Sequence, residues 1–365
     1  MLIVTRYRHA MTPTWTFAVD RDDLAHTSIT AGDLPGLAGG EALLRVDRVG
    51  VTANNVTYAV LGTAMRYWEF FPPAAYGLGP QWGLVPLWGF AEVVASCVPG
   101  VEAGQRLYGY LPPAGHLVVR PDRVGDTGFR DASAHRADLP SPYNAYRLTT
   151  GDEAYRPEWE DLLVLYRPLF FTSFMLADQV LDHDAYGART VVLSSASSKT
   201  AYATAFELQG RGPRAVGLTS PGNVEFTRSL GCYDDVLSYD EIGGLEAVPT
   251  VYLDLSGSPE TRRALRSHLG EHLVRDIAVG LTNQAPNMDA ADEFFFAPNQ
   301  MRKRAQDWGR EALDARFAES WQRFAAAAPA WIDVHVGSGS EALRSAWLEV
   351  AAGRTPPRTG HVIRP

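Results

Sequence analysis

The first 120 residues carry an alternating pattern of apolar and polar positions. Leu44 and Val46, for example, alternate with Arg45 and Asp47. Such alternation is typical of antiparallel strands that expose one face to water. Short runs of this kind, bounded by Gly or Pro, predict strands and together a small β-barrel; they are residues 14–19, 42–49, 88–94, 106–110 and 116–119.

A different pattern begins near residue 189, where short continuous apolar runs alternate with segments compatible with helices. The predicted strands are residues 191–193, 214–218, 235–238 and 250–255. The predicted helices are residues 159–182, 201–208 and 297–328, and Pro168 can break the first of them into a pair. Regular alternation of strand and helix predicts a parallel sheet.

Two segments lack either pattern. Residues 61–86 are rich in aromatic residues and proline and predict a loop. This loop either packs over the barrel or forms the wall of a pocket for an apolar or aromatic substrate. Residues 126–157 predict a second, polar and irregular insertion.

Composition narrows the class of protein. A length of 365 residues accommodates two domains, and 46% hydrophobic with 21% charged residues is ordinary for a globular protein. No apolar run approaches the roughly 20 residues that span a bilayer, and residues 1–6 do not resemble the start of a secretory signal. A net charge of −9 argues against nucleic acid or an anionic membrane as partner. The two isolated cysteines, Cys97 and Cys232, indicate a reducing, cytoplasmic setting.

The strand–turn–helix unit at residues 189–218 has the arrangement that holds a dinucleotide, because the helix N-terminus offers N–H groups to a pyrophosphate. Where glycines usually mark this turn, the chain has Ser195, then Ser198, then Ala201. The hydroxyls of Ser195, Ser197 and Ser198 can donate to a phosphate. Lys199 places a cation at the predicted helix start, which is unfavourable unless an anion offsets it.

The chain resembles the zinc-free, quinone-oxidoreductase-like branch of the medium-chain dehydrogenase/reductases. The resemblance is carried by Val-Val-Leu-Ser-Ser-Ala-Ser-Ser-Lys-Thr-Ala at residues 191–201 and by Glu-Phe-Thr-Arg-Ser-Leu-Gly-Cys at residues 225–232. Further matching pieces, in the same order, are residues 40–46, Tyr58, Gly62, residues 104–109 and residues 359–363. The resemblance implies a GroES-like β-barrel domain formed by residues 1–150 and 335–365, and a Rossmann-like, doubly wound parallel-sheet domain formed by residues 151–334.

The resemblance also implies a cofactor. The second strand ends in Thr219 and Ser220 without a carboxylate for the ribose of NAD, as in NADP-preferring members, and Lys199 could reach a phosphate of NADPH. Asn223 departs from those members, which often have Lys there. In the alternative interpretation Thr219 and Ser220 only open a turn, and Lys199 pairs with a carboxylate such as Glu225 or Asp254.

Candidate catalytic residues follow from the same resemblance. Tyr58 falls where several members have a substrate-facing Tyr, and Asn55 is close to it; alternatively, the Asn pair forms a turn and Tyr58 packs in the barrel. Thr172 and Ser173 fall near the nicotinamide pocket. The stretch Trp88-Gly89-Phe90-Ala91-Glu92 replaces the zinc-binding Gly-His-Glu element, so no metal is expected.

Together these features predict an NADPH-dependent, zinc-independent reductase of an enone, quinone or related carbonyl compound, with a small apolar or aromatic substrate. The alternative is a non-redox, lyase-like or ligand-binding relative that kept the fold but lost dinucleotide binding, as the missing glycines suggest. A homodimer is also predicted, both by the resemblance and by the apolar run Phe294-Phe295-Phe296, which would be hazardous on an open sheet edge. Burial of this run within one subunit is the alternative.

Overall fold

The computed structural model describes residues 13–34, 36–279 and 291–365, so residues 1–6 lie outside the described part of the chain. The chain forms two compact units. Unit 1 contains residues 1–165, 334–355 and 360–365, and unit 2 contains residues 166–333 and 356–359. The assignment of residues 1–150 and 335–365 to one domain and 151–334 to the other stays a prediction.

Unit 1 is built mainly from two antiparallel sheets. A three-stranded sheet has the order β2-β1-β4, and a larger sheet has the order β17-β18-β3-β5-β6-β10-β9-β8, with β7 also paired to β3. The strands are β1 (Pro13–Asp20), β2 (Thr27–Asp33), β3 (Ala42–Val51), β4 (Trp82–Gly83), β5 (Leu87–Ser96), β6 (Arg106–Leu111), β7 (His116–Val119), β8 (Pro121–Gly125), β9 (Gly128–Asp131), β10 (Ala145–Leu148), β17 (Asp333–Ser338) and β18 (Thr359–Arg364). Two helices, α1 (Ala53–Val60) and α8 (Gly339–Ala351), accompany them.

The aromatic segment at residues 61–86 contributes to the core of unit 1. Trp68, Phe70 and Phe71 are all buried there. Gly83 accepts the close approach of the Trp68 ring, because a Cβ at Gly83 would lie 2.6 Å from that ring. These contacts favour the interpretation of the segment as a packed loop, since three of its aromatic side chains are buried in the core.

The prediction of an irregular insertion at residues 126–157 was wrong. This segment supplies β9 and β10, which pair with each other and join the larger sheet through β6. Phe129 and Tyr146 stack with ring centroids 5.4 Å apart, and both are buried. The strands were not predicted because neither has a regular alternation of buried and exposed positions: β9 is buried at three of its four residues, and only one residue of β10 is buried.

Unit 2 is organised around a six-stranded parallel sheet in the order β13-β12-β11-β14-β15-β16. The strands are β11 (Thr190–Leu193), β12 (Arg214–Thr219), β13 (Asp235–Ser238), β14 (Thr250–Asp254), β15 (Leu273–Ala278) and β16 (Glu293–Phe294). Counted along the chain, this order is 3-2-1-4-5-6, the doubly wound arrangement of dinucleotide-binding sheets. The strands predicted at residues 191–193, 214–218, 235–238 and 250–255 all lie in this sheet.

The helices of this region are α2 (Glu160–Asp182), α3 (Lys199–Leu208), α4 (Val224–Ser229), α5 (Pro259–Leu269), α6 (Ala297–Trp308) and α7 (Arg310–Ala327). Helix α2 is continuous although Pro168 lies inside it. The segment predicted as helical at residues 297–328 is divided at Gly309, whose φ of +82° ends one helix before the next begins.

Candidate functional site

The candidate site lies at the carboxyl ends of β11 and β14, where the strand order of the sheet reverses. Ligands of doubly wound sheets bind outside the carboxyl ends of the strands at this reversal. The chain places Ser194 directly after β11 and Asp254 at the end of β14. Their side chains meet, with the Ser194 hydroxyl donating to the Asp254 carboxylate at 3.0 Å.

The turn between β11 and α3, at residues 194–198, is tight and has a glycine-like backbone. Ser195 has a φ of +49°, in the left-handed region that L-residues other than Gly seldom adopt. The Ser198 N–H donates to the Ser195 carbonyl at 2.7 Å, and the Ser198 hydroxyl then caps α3 by accepting from the Ala201 N–H. The serine turn therefore adopts the left-handed backbone conformation at which glycine is the usual residue.

Two tyrosines hold this turn from outside. The Ser195 N–H donates to the Tyr239 hydroxyl at 2.9 Å, and the Tyr233 hydroxyl donates to the Ala196 carbonyl at 2.9 Å. Gly217 of β12 lets Ala196 approach closely, because a Cβ at Gly217 would lie 2.8 Å from the Ala196 Cβ. The turn is thus held in place by Tyr233 and Tyr239, which both follow β12 in the sequence.

Replacing Ser195 with Gly tests the conformation of the turn. Glycine removes left-handed strain of about 1–2 kcal/mol but adds unfolded-chain entropy of comparable size, so the free energy of unfolding should change by less than about 1 kcal/mol. NADPH affinity should rise, because no Cβ then obstructs a phosphate. Chemical denaturation and NADPH titration measure both effects. Ser195→Val is the control, since a β-branched residue at this φ should destabilise the fold by about 1–3 kcal/mol.

A cluster of hydroxyl and amide groups lies at the end of β12. The Thr219 hydroxyl and the Asn223 side-chain amide both donate to the Ser197 hydroxyl oxygen, each at 3.3 Å. Ser197 accepts both bonds with its oxygen, so its own hydrogen stays available for donation to a ligand. Thr219 is buried, whereas Ser220 is exposed. The structure therefore brings Ser197 and Thr219 together and leaves Ser220 outside their contact.

Asp254 is the centre of the hydrogen bonding at the strand ends. Besides Ser194, its Oδ1 atom accepts from the backbone N–H groups of Ser256 and Gly257 and from the Ser256 hydroxyl, at 2.8 to 3.0 Å. Its Oδ2 atom lies 2.8 Å from a guanidinium nitrogen of Arg262. Asp254 thereby ties the ends of two neighbouring strands to helix α5.

Arg262 also belongs to a buried network of ion pairs. Arg262 lies 3.1 Å from the carboxylate of Asp276, and Arg266 lies 2.9 Å from that same carboxylate. Asp276 is fully buried, and burial raises the pKa of its carboxyl against the lowering effect of the two arginines. Arg262 is therefore shared between two buried carboxylates.

Lys199 makes contacts other than the predicted ones. Its ammonium donates to the backbone carbonyl of Thr359 at 3.1 Å and lies 3.5 Å from that of Pro357. It also lies 5.9 Å from the centre of the Tyr166 ring. Burial lowers the pKa of the Lys199 ammonium to about 8. The interpretation of Lys199 as a partner of Asp254 was wrong, because Arg262 is the cation that contacts that carboxylate.

The hydroxyls of Thr172 and Ser173 both bond to backbone carbonyls. Thr172 donates to the Pro168 carbonyl at 3.1 Å. Ser173 donates to the Leu169 carbonyl at 3.0 Å and to the Thr200 carbonyl at 2.8 Å, and it is fully buried. Ser173 therefore links α2 to the first turn of α3, and its hydrogen bonds resemble those of a structural residue.

In unit 1, Asn55 and Tyr58 lie on helix α1 and are both buried. The Asn55 side chain accepts from the Thr52 N–H and donates to the Pro86 carbonyl, at 2.8 and 2.9 Å. The Tyr58 hydroxyl accepts from the Trp88 indole N–H at 3.0 Å. Burial raises the pKa of Tyr58 far above its ordinary value, so its phenol holds its proton firmly. The expectation that the Asn pair forms a turn was wrong, because both residues lie in helix α1. The contacts favour packing for Asn55 and Tyr58, and their catalytic roles stay predictions.

Replacing Tyr58 with Phe should lower the free energy of unfolding by about 1 kcal/mol, because the partly buried Trp88 N–H loses its acceptor. The effect should nearly vanish in a Trp88→Phe background, which a double-mutant cycle by urea denaturation measures. If Tyr58 instead donates a proton in catalysis, turnover should fall about a hundredfold or more while the cycle shows no coupling.

Sequence reasoning missed Ser194, Asp254 and Tyr239 as parts of the site. A signal for Asp254 was present, because a carboxylate directly follows the apolar run of β14 and precedes Ser256 and Gly257. Such placement at a strand's carboxyl end is where doubly wound sheets carry functional groups. Tyr239 gave no such signal, since its bond to the turn spans 44 residues.

Two general properties of the described residues bear on the site. No three His, Cys, Asp or Glu side chains come together as metal ligands in the part of the chain that the structure describes. Across the same residues, no helix combines the length and the apolar character that crossing a membrane requires.

The predicted fold, a GroES-like β-barrel domain with a Rossmann-like parallel-sheet domain, is confirmed by its likeness to solved oxidoreductase structures. CurA from Vibrio vulnificus, solved in complex with NADPH, matches with a TM-score of 0.65 and 14% identity, over 96% of this chain and 98% of CurA. The YhdH oxidoreductase from Salmonella enterica, solved with NADP, matches with a TM-score of 0.53 and 14% identity, over 96% and 99% of the two chains. A thermostable alcohol dehydrogenase from Pyrobaculum aerophilum matches with a TM-score of 0.52 and 15% identity, over 97% and 100%.

In sequence, residues 49–356 match the family described as "Protein of unknown function (DUF2855)", and the chain belongs to this family. No match was found among curated proteins.

Proposed function

We propose that the chain is an NADPH-dependent, zinc-independent reductase of an enone, quinone or related carbonyl compound. One observation carries the proposal: a tight turn with a left-handed Ser195 leads into the N-terminus of α3 at the reversal point of a 3-2-1-4-5-6 sheet. NADPH-bound CurA and NADP-bound YhdH share this fold. These likenesses support a nucleotide as the ligand of the turn.

The residues of the turn suit a phosphate. The Ala201 N–H is capped by the Ser198 hydroxyl, whereas the N–H groups before it in the first turn of α3 have no partner inside the helix and can donate to a phosphate. The available hydrogen of the Ser197 hydroxyl adds a donor beside them. Since Thr219 and Ser220 end β12 without a carboxylate, nothing at that position repels a 2′-phosphate, and this favours NADP over NAD.

The bound cofactor would supply a hydride from its nicotinamide to the unsaturated carbonyl compound. The residues of the chain would bind and orient the nucleotide: Ser197 and the α3 N-terminus at its phosphates, and Asp254 by fixing the strand ends through Ser194. The hydride chemistry itself needs no metal, in keeping with Trp88-Gly89-Phe90-Ala91-Glu92 in place of the zinc-binding element. The isolated cysteines, Cys97 and Cys232, suit a reducing, cytoplasmic setting.

A second candidate function is supported by the contacts of Ser195 and Lys199. The Ser195 N–H is already bonded to Tyr239, and the Lys199 ammonium is bonded to backbone carbonyls. Both groups would have to exchange partners to contact a phosphate. This favours a non-redox, lyase-like or ligand-binding protein that kept the fold while losing dinucleotide binding.

Equilibrium titration of the pure protein with NADPH, NADP and NADH separates the two functions. The reductase predicts saturable binding of NADPH with a lower affinity for NADH, followed by NADPH oxidation in the presence of a quinone or an enone. Activity should survive treatment with a chelator. Absence of nucleotide binding at millimolar concentration would leave the non-redox function standing.

A homodimer belongs to the same proposal. Strand β16 forms one edge of the six-stranded sheet, where Phe294 and Phe296 are 44% and 45% exposed while Phe295 between them is buried. Exposed rings at a sheet edge favour pairing with another copy. Light scattering at micromolar concentration should therefore give twice the chain mass of 39.9 kDa. Phe294→Lys with Phe296→Lys should shift the mass to that of one chain, and an unchanged single-chain mass in the parent protein would refute the dimer.

A further inference from the structure

A second cavity in unit 2 lies away from the phosphate turn. Its volume is about 630 Å³, within the range of sites that hold small molecules. Residues of α2, α3, α6 and α7 line it together with Arg211, which follows α3. The lining contains four arginines: Arg211, Arg304, Arg316 and Arg323. We call it the arginine cavity. Glu207, which lines the cavity, lies eight residues after Lys199, about 12 Å further along α3, so the cavity is at the opposite end of that helix from the turn.

Arg304 is the one arginine of this set with short ion pairs. It lies 2.6 Å from Asp178 and 2.8 Å from Asp182, both of which line the same cavity. Its guanidinium also lies 4.5 Å from the ring of Trp308. These contacts occupy its donors, so Arg304 serves as a fixed part of the wall.

Arg316 is held differently. Its guanidinium lies over the Trp308 ring at 4.3 Å. A guanidinium that stacks on an aromatic face keeps the N–H groups in its own plane free for a planar or tetrahedral anion. The stacking therefore orients Arg316 without using its hydrogen-bond donors.

Arg211 and Arg323 both form ion pairs with Glu207, whose side chain is 1% exposed. The carboxylate of Glu207 lies 3.7 Å from Arg211 and 3.5 Å from Arg323, and neither carboxylate oxygen accepts a hydrogen bond from them. Both guanidiniums are about half exposed. A buried anion thus keeps two cations close together over the cavity while most of their donors remain available.

We infer that the arginine cavity binds a small organic anion that carries an apolar group. Arg211, Arg316 and Arg323 supply the donors for a carboxylate or phosphate. Phe174 and Leu181 line the same cavity and supply an apolar surface for the rest of the ligand. Four carboxylates, Asp178, Asp182, Glu207 and Glu319, also line the cavity and balance the four arginines in formal charge. Recognition of the anion therefore depends on the directed donors of the arginines and not on a net positive charge. The site is separate from the proposed nucleotide site.

Isothermal titration calorimetry with 3-phenylpropanoate on the full chain, both without NADPH and with about 1 mM NADPH present, tests the inference. Binding should be saturable, and 3-phenylpropanamide, the neutral analogue, should bind at least about tenfold more weakly, because it lacks the charge-assisted hydrogen bonds. Arg316→Gln and Arg323→Gln should each weaken binding about tenfold to a hundredfold. Arg310→Gln is the matched control on helix α7, since Arg310 pairs with Asp314 and does not line the cavity.

Arg316→Gln is the decisive variant, because Arg316 contacts the Trp308 ring and its loss leaves the partners of Glu207 in place. Circular dichroism of each variant checks that the fold is kept. Absence of 3-phenylpropanoate binding at about 10 mM, equal binding by Arg316→Gln, or displacement of the anion by NADPH would overturn the inference. Each variant is also titrated with NADPH, so failure of this site and failure of the nucleotide site are distinguished.

Discussion

Replacing Arg262 with Met should lower the free energy of unfolding by about 3–5 kcal/mol, the cost of leaving buried carboxylates without their cation. Arg262 lies 2.8 Å from Asp254 and 3.1 Å from Asp276, and the side chains of both carboxylates are at most 1% exposed. Methionine fills a similar volume but cannot donate to either carboxylate. Urea denaturation measures the loss. Arg263→Met is the control, because Arg263 is exposed on the same helix, and a surface change of this kind stays within about 0.5 kcal/mol.

The loss of unfolding free energy in the Arg262→Met variant, called the deficit below, should depend on pH. Arg262 lowers the pKa of Asp276 against the effect of burial, so its removal raises that pKa further. The folded variant then binds more protons in acid than the unfolded chain does, and its stability relative to the parent rises as pH falls. The deficit at about pH 5 should therefore be smaller than at neutral pH. A deficit that grows in acid would contradict the assignment of Arg262 as the shared cation.

Replacing Lys199 with Met should lower the free energy of unfolding by about 0.5–1.5 kcal/mol near pH 10, where the buried amine is neutral and its hydrogen bonds no longer carry the cost of burying a charge. The lost bonds are those to the carbonyls of Thr359 and Pro357. NADPH affinity should change little, because the ammonium is directed to these carbonyls. Lys303→Met is the matched control, since Lys303 is an exposed lysine that pairs with Asp182 and Asp307.

The direction in which stability changes with pH tests whether Lys199 is the responsible group. The pKa of Lys199 is about 8 in the folded chain, below its ordinary value of 10.5, so between these values the unfolded chain binds more protons. Stability contributed by Lys199 therefore rises with pH in this window. The advantage of the parent over Lys199→Met should grow from about pH 8 to about pH 10, and tyrosine titration affects both proteins alike. A tenfold or greater loss of NADPH affinity with unchanged stability would instead assign Lys199 to the phosphate.

Local patterns were sufficient to predict most of the fold. Continuous apolar runs such as Val191 to Leu193 identified central strands, because a strand buried on both faces tolerates few polar residues. Strands β9 and β10 were not predicted from the sequence. Their burial depends on the stacking of Phe129 and Tyr146, which a single sequence does not reveal.

The candidate site was predicted less completely than the fold. Ser195 and Ser197 were placed correctly in the turn by sequence spacing alone, but the partner of Ser195, Tyr239, follows a different strand. Lys199 was assigned from its position at a helix start, yet its partners lie about 160 residues later in the chain. Long-range contacts of this kind are decided by the assembled sheet and not by local sequence.

The hydrogen bond between Lys199 and Thr359 can form only after nearly the whole chain has been synthesised. Residues 356–359 belong to unit 2, although 334–355 and 360–365 belong to unit 1. At about 5–20 residues per second, a ribosome needs roughly 10–30 s to reach Thr359 after it has added Lys199. Throughout that interval the nascent unit 2 lacks its final segment, so Lys199 is synthesised long before the carbonyls that accept its hydrogen bonds.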